Sequence, residues 1–294
     1  MGGYVGFPGL GLEFHIKRVA FHIFGWPLYW YGIIIACAVL ACILLAVRNV
    51  KKVNLSPDTL YDYLIWAIPL SIVGARLYYV LSSWETYRSH PASILYIWEG
   101  GLAIYGAIIA AVITLLVFCR CKKVPAYDLM DACCISLILG QDIGRWGNFI
   151  NQEAFGAATT LPWRMRILDE AGRLVEVHPT FLYESLWNLI GFALLLYVFN
   201  RQRKFPGLVF WLYVLWYGMG RFFIEGLRTD SLMMGNIRLS QLVAALSAIA
   251  AVVMLVIGFR KWWLEDKAQK SIQVNEQEQA QQGIQKSAQE KTQE

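Results

Sequence analysis

Residues 140–156, Gly-Gln-Asp-Ile-Gly-Arg-Trp-Gly-Asn-Phe-Ile-Asn-Gln-Glu-Ala-Phe-Gly, close an apolar segment with side chains that could do chemistry. An arginine, two asparagines, two acids and four glycines stand where a spanning helix would want leucines. Ionisable groups at membrane depth are costly, so they usually line a site or a cavity. Arg145 leads the candidates. Arg76, Arg221 and Arg228 join it, because guanidinium groups suit bidentate phosphate recognition. A phosphate in a membrane most often belongs to a lipid head group. The plainer reading makes 140–151 the wet, frayed end of a helix. Similar polar groups at the same end of other segments argue against it.

Tyr217, Arg221 and Glu225 are spaced by four and share a helix face. Glu225 can hold Arg221 in place, although such a stripe also fits a structural interhelix ion pair. His178-Pro-Thr-Phe-Leu-Tyr-Glu184 opens another segment. Pro179 suits a first helical turn, and Tyr183 and Glu184 would point into a bundle one turn later. His178 reads as a structural capping residue or as a base. Gly100-Gly-Leu-Ala-Ile-Tyr-Gly106 adds Tyr105, with glycines that permit close helix packing.

The elements that must position these residues are membrane helices. The chain has 294 residues, 57% hydrophobic and only 16% charged, where a soluble domain carries about a quarter charged residues. The apolar residues come in long blocks, which predicts an all-α polytopic protein with seven spans. These are about 28–47, 60–81, 93–119, 127–144, 180–200, 207–224 and 239–259. Tight Lys/Arg clusters follow the first, third, fifth and seventh. Positive residues stay cytoplasmic, so the N-terminus lies outside and the C-terminus in the cytoplasm. The net charge of +5 is therefore a topology signal, and no nucleic-acid partner is implied. Residues 1–26 read as an amphipathic outer arm with short strand-like alternations. A signal peptide would need a basic start and an apolar core. Residues 154–177 form a long loop, the most soluble-looking connection in the chain. Residues 264–294, rich in Lys, Glu and Gln, read as a disordered or loosely helical cytoplasmic tail. The six cysteines and four histidines show no zinc spacing and no disulfide framework.

With this topology, Arg76, Glu99, Tyr105, Asp142, Arg145, Asn148, Asn151, Glu153, His178, Glu184, Tyr217, Arg221, Glu225 and Arg228 fall toward the outer side. The cytoplasmic ends carry ordinary basic anchors. A one-sided polar cluster fed by several helices predicts a cavity open to the outer leaflet.

At these residues the chain resembles the prolipoprotein diacylglyceryl transferases, integral membrane enzymes of bacteria. The likeness rests on Gly144-Arg-Trp-Gly-Asn-Phe-Ile-Asn-Gln-Glu153 with Gly156 close behind. Also matching are 178–184, Tyr217-Gly-Met-Gly-Arg221, Trp30-Tyr31-Gly32 and Gly74-Ala-Arg76. It covers about 30–227. The resemblance implies transfer of the diacylglyceryl group of phosphatidylglycerol to the lipobox cysteine thiol of a prolipoprotein signal peptide. The products are a thioether and glycerol phosphate, and no cofactor is implied. The location implied is the bacterial cytoplasmic membrane, with the site facing the outer leaflet. It makes Arg145 and Arg221 the leading phosphate contacts, with Tyr105 and His178 beside them as catalytic candidates. Tyr31, Arg76, Asn148, Asn151, Glu153, Gly156, Tyr183, Glu184, Tyr217, Glu225 and Arg228 would shape the substrate pocket.

One departure bears on mechanism. Some members carry a histidine, proposed as the base, where this chain has Tyr105. An unperturbed phenol titrates near 10, so Tyr105, His178, Glu153 and an arginine-lowered thiol with no dedicated base all stay open. An anion transporter would need polar lining through to the cytoplasmic side, where Leu, Ile, Val and Ala dominate. A non-catalytic lipid-binding factor is opposed by the motif set. An intramembrane protease would need a Ser–His pair or paired aspartates facing each other.

Overall fold

The computed structural model describes residues 2–169, 171–229, 233–234 and 237–293. Side chains are described through 273, except those of 2, 99, 234 and 237. The architecture is mostly helical, with a small antiparallel sheet at one end of the helices.

The sheet grows from the alternation in the first residues. Strands β1 (Gly2–Phe7) and β2 (Leu12–Lys17) pair in register, Val5 opposite Phe14 and Phe7 opposite Leu12. Gly11 caps the turn between them at φ 65°. Strands β3 (Val19–Ile23) and β4 (Trp26–Tyr29) form a separate hairpin. Its tip, Phe24-Gly25, has positive φ at both residues, as tight hairpin turns require. Far along the chain, β5 (Met165–Leu168) and β6 (Leu174–Val177) complete a four-stranded sheet of order β2-β1-β5-β6. A two-residue pair, β7 (Met233–Met234) and β8 (Ile237–Arg238), precedes the last helix. Successive strand residues face opposite sides. Val5, Phe7, Met165, Ile167 and Val177 bury one face against Phe181. The other face is polar. Tyr4 donates to Glu13 at 2.9 Å, and Glu176 pairs with Arg164 and Arg166.

This sheet corrects the all-α expectation and the reading of 154–177 as a plain loop. Four- to six-residue strands give a weak period, and β1 pairs with β5 about 160 residues away.

Hydrogen bonds from Arg166 and Arg164 hold the Glu176 carboxyl below the usual carboxylate range. A depressed carboxyl contributes stability that is complete above its unfolded value, about 4.3. That stability is lost as pH falls through the folded value. Amide exchange in β5 and β6 is expected to accelerate selectively below about pH 4. Uniform exchange across helices and sheet would contradict this.

Among the described residues there are eight α-helices: α1 (Trp30–Lys52), α2 (Pro57–Ser82), α3 (Trp84–Arg88), α4 (Ile104–Lys122), α5 (Ala126–Asn151), α6 (Thr180–Arg201), α7 (Leu208–Glu225) and α8 (Leu239–Gln293). Five are long and apolar enough to cross a membrane: α1, α2, α4, α6 and α8. The chain is a multi-pass membrane protein. The expected third span starts late. Residues 91–99 form two 3-10 turns, and Gly100 and Gly101 then break the helix at φ 91° and 74°. The fourth runs further than expected, through the polar motif to Asn151. Residues 264–293 continue α8 as helix, where the composition suggested disorder or loose helix; the side chains beyond 273 lie outside the described residues.

Two glycine contacts set helix spacing. Gly74 of α2 and Gly106 of α4 lie so close that a Cβ on either would collide with the other's backbone carbonyl. On α6 and α7, Trp187 and Trp216 stack with ring centroids 4.4 Å apart. Each indole N–H donates to the other residue's carbonyl at 3.0 Å. Gly220 leaves room for Trp187, and Gly191 for Trp216.

Candidate active site

The tryptophan pair fixes α6 against α7 in the register where Glu184, one turn before Trp187, meets Arg221, which adjoins Gly220. Glu184 is buried, its side chain 7% exposed, and it gathers guanidinium groups from three places. Arg145 of α5 pairs with it directly. Arg221 of α7 reaches its Oε1 at 3.1 Å, and Arg228 approaches the same oxygen at 3.9 Å. Arg221 also pairs with Glu225 at 2.6 Å, one turn along α7. Arg228 lies 4.0 Å from Glu225. Buried charges need pairing to be tolerated, and this cluster supplies it from three guanidinium groups and two carboxylates. A cavity of about 10 Å³ lies among Glu184, Asn188, Tyr217 and Arg221. That is room for about one water.

The motif after Arg145 is held by its own turn. Arg145 donates to Asn148 at 3.4 Å. Asn148 and Asn151 both donate to Glu153 Oε1, at 3.0 and 3.3 Å. Helix α5 ends as Gln152 turns left-handed, and Ala154 does so again. Left-handed non-glycine residues are costly and concentrate at functional sites. Gly156 then bridges Arg228 in a short antiparallel contact. A Cβ at Gly156 would meet the Leu227 carbonyl at 2.9 Å and the Cβ of His178 at 2.7 Å. Glycine there lets three backbone segments converge. Tyr31 of α1 packs its ring on Gly147, 2.8 Å from where a Cβ would sit.

Other expected residues sit in different surroundings. Arg76 is occupied by backbone: it donates to the carbonyls of Ser93, Ile94, Tyr96, Gly100 and Gly101 and lies 5.2 Å from the Tyr87 ring. It ties down the segment before α4. The His178 ring meets the Tyr183 hydroxyl at 3.2 Å, and that hydroxyl accepts from Trp163 at 2.8 Å. The Tyr105 phenol is 3.0 Å from Ser240 Oγ at the start of α8. Tyr217 stacks on Tyr213, one turn back on α7.

Several positioning groups, Asp142 excepted, were absent from the sequence reading. Arg18 donates to the Asn151 carbonyl at 2.7 Å, clamping the first strands to the end of α5. Asp142 accepts from Ser185, and Ser185 accepts from Trp146 at 3.1 Å. This network joins α5 to α6 on the turn before Arg145 and Glu184 meet. Arg238 donates to the carbonyls of Gly226 and Arg228. Asp142 was visible as an acid in an apolar segment. Arg18 and Ser240 carried no local signal.

In this multi-pass membrane protein, guanidinium groups from α5, from α7 and from just beyond it converge on one buried carboxylate. Comparison places the protein in a family. The prolipoprotein diacylglyceryl transferase family model matches residues 18–257, and the chain belongs to that family. Among its relatives is a protein of Limosilactobacillus reuteri (strain DSM 20016), 46% identical over 260 residues, covering 85% of this chain and 94% of the relative. One from Finegoldia magna is 49% identical over 246 residues, 84% and 97% of the two chains. One from Listeria welshimeri is 45% identical over 254 residues, 81% and 90%. All three are named phosphatidylglycerol–prolipoprotein diacylglyceryl transferase.

Proposed function

We infer that this protein transfers the diacylglyceryl group of phosphatidylglycerol to the cysteine thiol of prolipoproteins, an early step of lipoprotein maturation. The observation that carries this reading is the convergence of Arg145, Arg221 and Arg228 on Glu184 in a family of that activity. In the reaction the substrate sulfur attacks the diacylglyceryl carbon. The bond from that carbon to the phosphate-ester oxygen breaks, and its electron pair leaves with glycerol phosphate. Charge on the phosphate rises as the bond breaks, and preorganised guanidinium groups stabilise it. Glu184 and Glu225 hold those groups in place before the lipid arrives. The positive field also favours the thiolate.

The nucleophile belongs to the peptide substrate. The thiol proton ends on the departing glycerol phosphate, and we assign its relay to the Tyr105 phenol, which is held by Ser240 and gives up its own proton as it takes the thiol's. Asn148, Asn151 and Glu153 shape the head-group pocket, with Gly156, Tyr31, Tyr217 and the His178–Tyr183 pair around it. Arg76 acts at one remove, through the segment before α4. We place all seven long helices across the bacterial cytoplasmic membrane, the sheet outside and α8 ending in the cytoplasm. The clusters Arg48/Lys51/Lys52, Arg120/Lys122/Lys123, Arg201/Arg203/Lys204 and Arg260/Lys261 support this orientation. Residues 1–26 then form an outer arm and 264–294 a cytoplasmic tail.

The test supplies phosphatidylglycerol and a lipobox peptide to the protein in detergent micelles. Thioether peptide and glycerol phosphate are expected in equal amounts. Lipid binding without either product would leave a binding protein in place of an enzyme. Tyr105→Phe is expected to lower kcat by about 10²-fold with little change in KM. Unchanged kcat would leave thiol activation to the arginine field alone.

A further inference from the structure

Strand β2 overhangs the helices. Its partner β1 buries Val5 and Phe7, but Leu12 and Phe14, on the same face, are 45% and 42% exposed. Beneath them lies an apolar cavity of about 410 Å³. Leu12, Phe14 and Ile16 form its roof, and Trp146, Phe149 and Ile150 of α5 line the opposite side. The Arg18–Asn151 hydrogen bond pins the strand to α5 just past Ile16 and so sets the width of the gap. Strand β2 is also an edge of the sheet. An edge strand presents backbone donors and acceptors to a further extended chain.

The cavity adjoins the anion site through α5. Arg145 and Asn148 stand on the same two turns of α5 as Trp146, Phe149 and Ile150, with Phe149 four residues from Arg145 and on its face, so no more than one helix width separates the cavity wall from the guanidinium. A helix with side chains is about 10–12 Å across. At about 3.3 Å per residue, three or four extended residues cover that distance. We propose that this shelf, the β2 edge above and the α5 aromatics below, binds the extended apolar segment flanking the acceptor cysteine of the prolipoprotein. The shelf thereby delivers that cysteine to the arginine cluster. A lipid tail would use the apolar lining but has no amide groups for the strand edge, so the pairing of the two features favours a peptide. This assignment rests on the transferase reading above.

The test uses the full-length protein in nanodiscs of phosphatidylcholine with phosphatidylglycerol. With p-benzoyl-L-phenylalanine in place of Phe14, light is expected to cross-link a lipobox peptide. Phe14→Glu is expected to raise the KM for peptide about tenfold and leave the KM for phosphatidylglycerol as it was. N-methylation of peptide amides away from the cysteine is expected to raise peptide KM similarly, with no change to the protein. Cross-links to lipid alone, with a raised lipid KM, would make the shelf an acyl-chain site and overturn the proposal. So would the absence of any cross-link together with unchanged KM values, which would mean the shelf only rests on the bilayer. The cross-link needs no turnover. Absence of thioether product from the unaltered protein would therefore count against the transferase reading, while the cross-link still decides the peptide site.

Discussion

Arg145→Ala is expected to lower the transfer rate by about 10²–10³-fold, the cost of deleting one preorganised donor from a site where charge develops. Arg145 is the guanidinium that joins α5 to the Glu184 cluster, and its other arm reaches Asn148. Its loss removes a phosphate donor and also the partner that aims the Asn148–Glu153 turn. Lysine should not restore activity. An ammonium is a point charge and cannot bridge a carboxylate and an amide with a flat fork. Glycerol phosphate release, measured beside thioether formation, reads the effect. The protein should still fold, because Arg221 and Arg228 continue to neutralise Glu184. Near-normal turnover of Arg145→Ala would remove this residue from the reaction.

Glu184→Gln should cost both activity and stability. Glu184 receives Arg145 and Arg221 and lies within 3.9 Å of Arg228. With a neutral amide there, Arg145 loses its carboxylate partner among the ion pairs described, while Arg221 and Arg228 keep Glu225. Breaking a buried pair by removing one partner costs about 3–5 kcal/mol. In a chain of this size that corresponds to a fall in thermal midpoint on the order of 10 °C. Glu184→Asp keeps the charge but shortens the reach and should recover only part of the loss. Thermal scanning in detergent alongside the transfer assay separates the two effects. An unchanged midpoint would show that Glu184 is not the hub of the cluster.

Much of the candidate ion-pair cluster was legible because its residues break an apolar background. Arg145, Arg221 and Glu225 stand out against leucine and phenylalanine, and spacing by four predicts the Arg221–Glu225 pair seen at 2.6 Å. Arg76 stood out equally, yet its guanidinium is filled by five backbone carbonyls. Composition flags a buried charge but does not say whether its partner is ligand or protein. The sheet was harder. Strand-like alternation was visible in 1–26, but 165–177 read as loop, and nothing local encodes the pairing of β1 with β5. The helix breaks at Gly100 and Gly101 were hidden by the apolar residues on both sides. Arg18 and Ser240 act through contacts with segments far away in the chain, which no local pattern encodes.

The Trp187–Trp216 pair has a genetic consequence. Each indole occupies space left by a glycine on the facing helix, so the interface comprises two interlocked couples, Trp187 with Gly220 and Trp216 with Gly191. Substitutions at such contacting positions do not add independently. A methyl at Gly220 should be severe beside Trp187 and milder once that indole is smaller, and the same holds for the second couple. Changes at this interface are therefore best tolerated in pairs, and a double-mutant cycle should give a coupling of about 0.5–3 kcal/mol. Because Glu184 lies one turn from Trp187 and Arg221 adjoins Gly220, the register of their ion pair is inherited from the lock. Drift in the lock would reach the chemistry before it reached the fold.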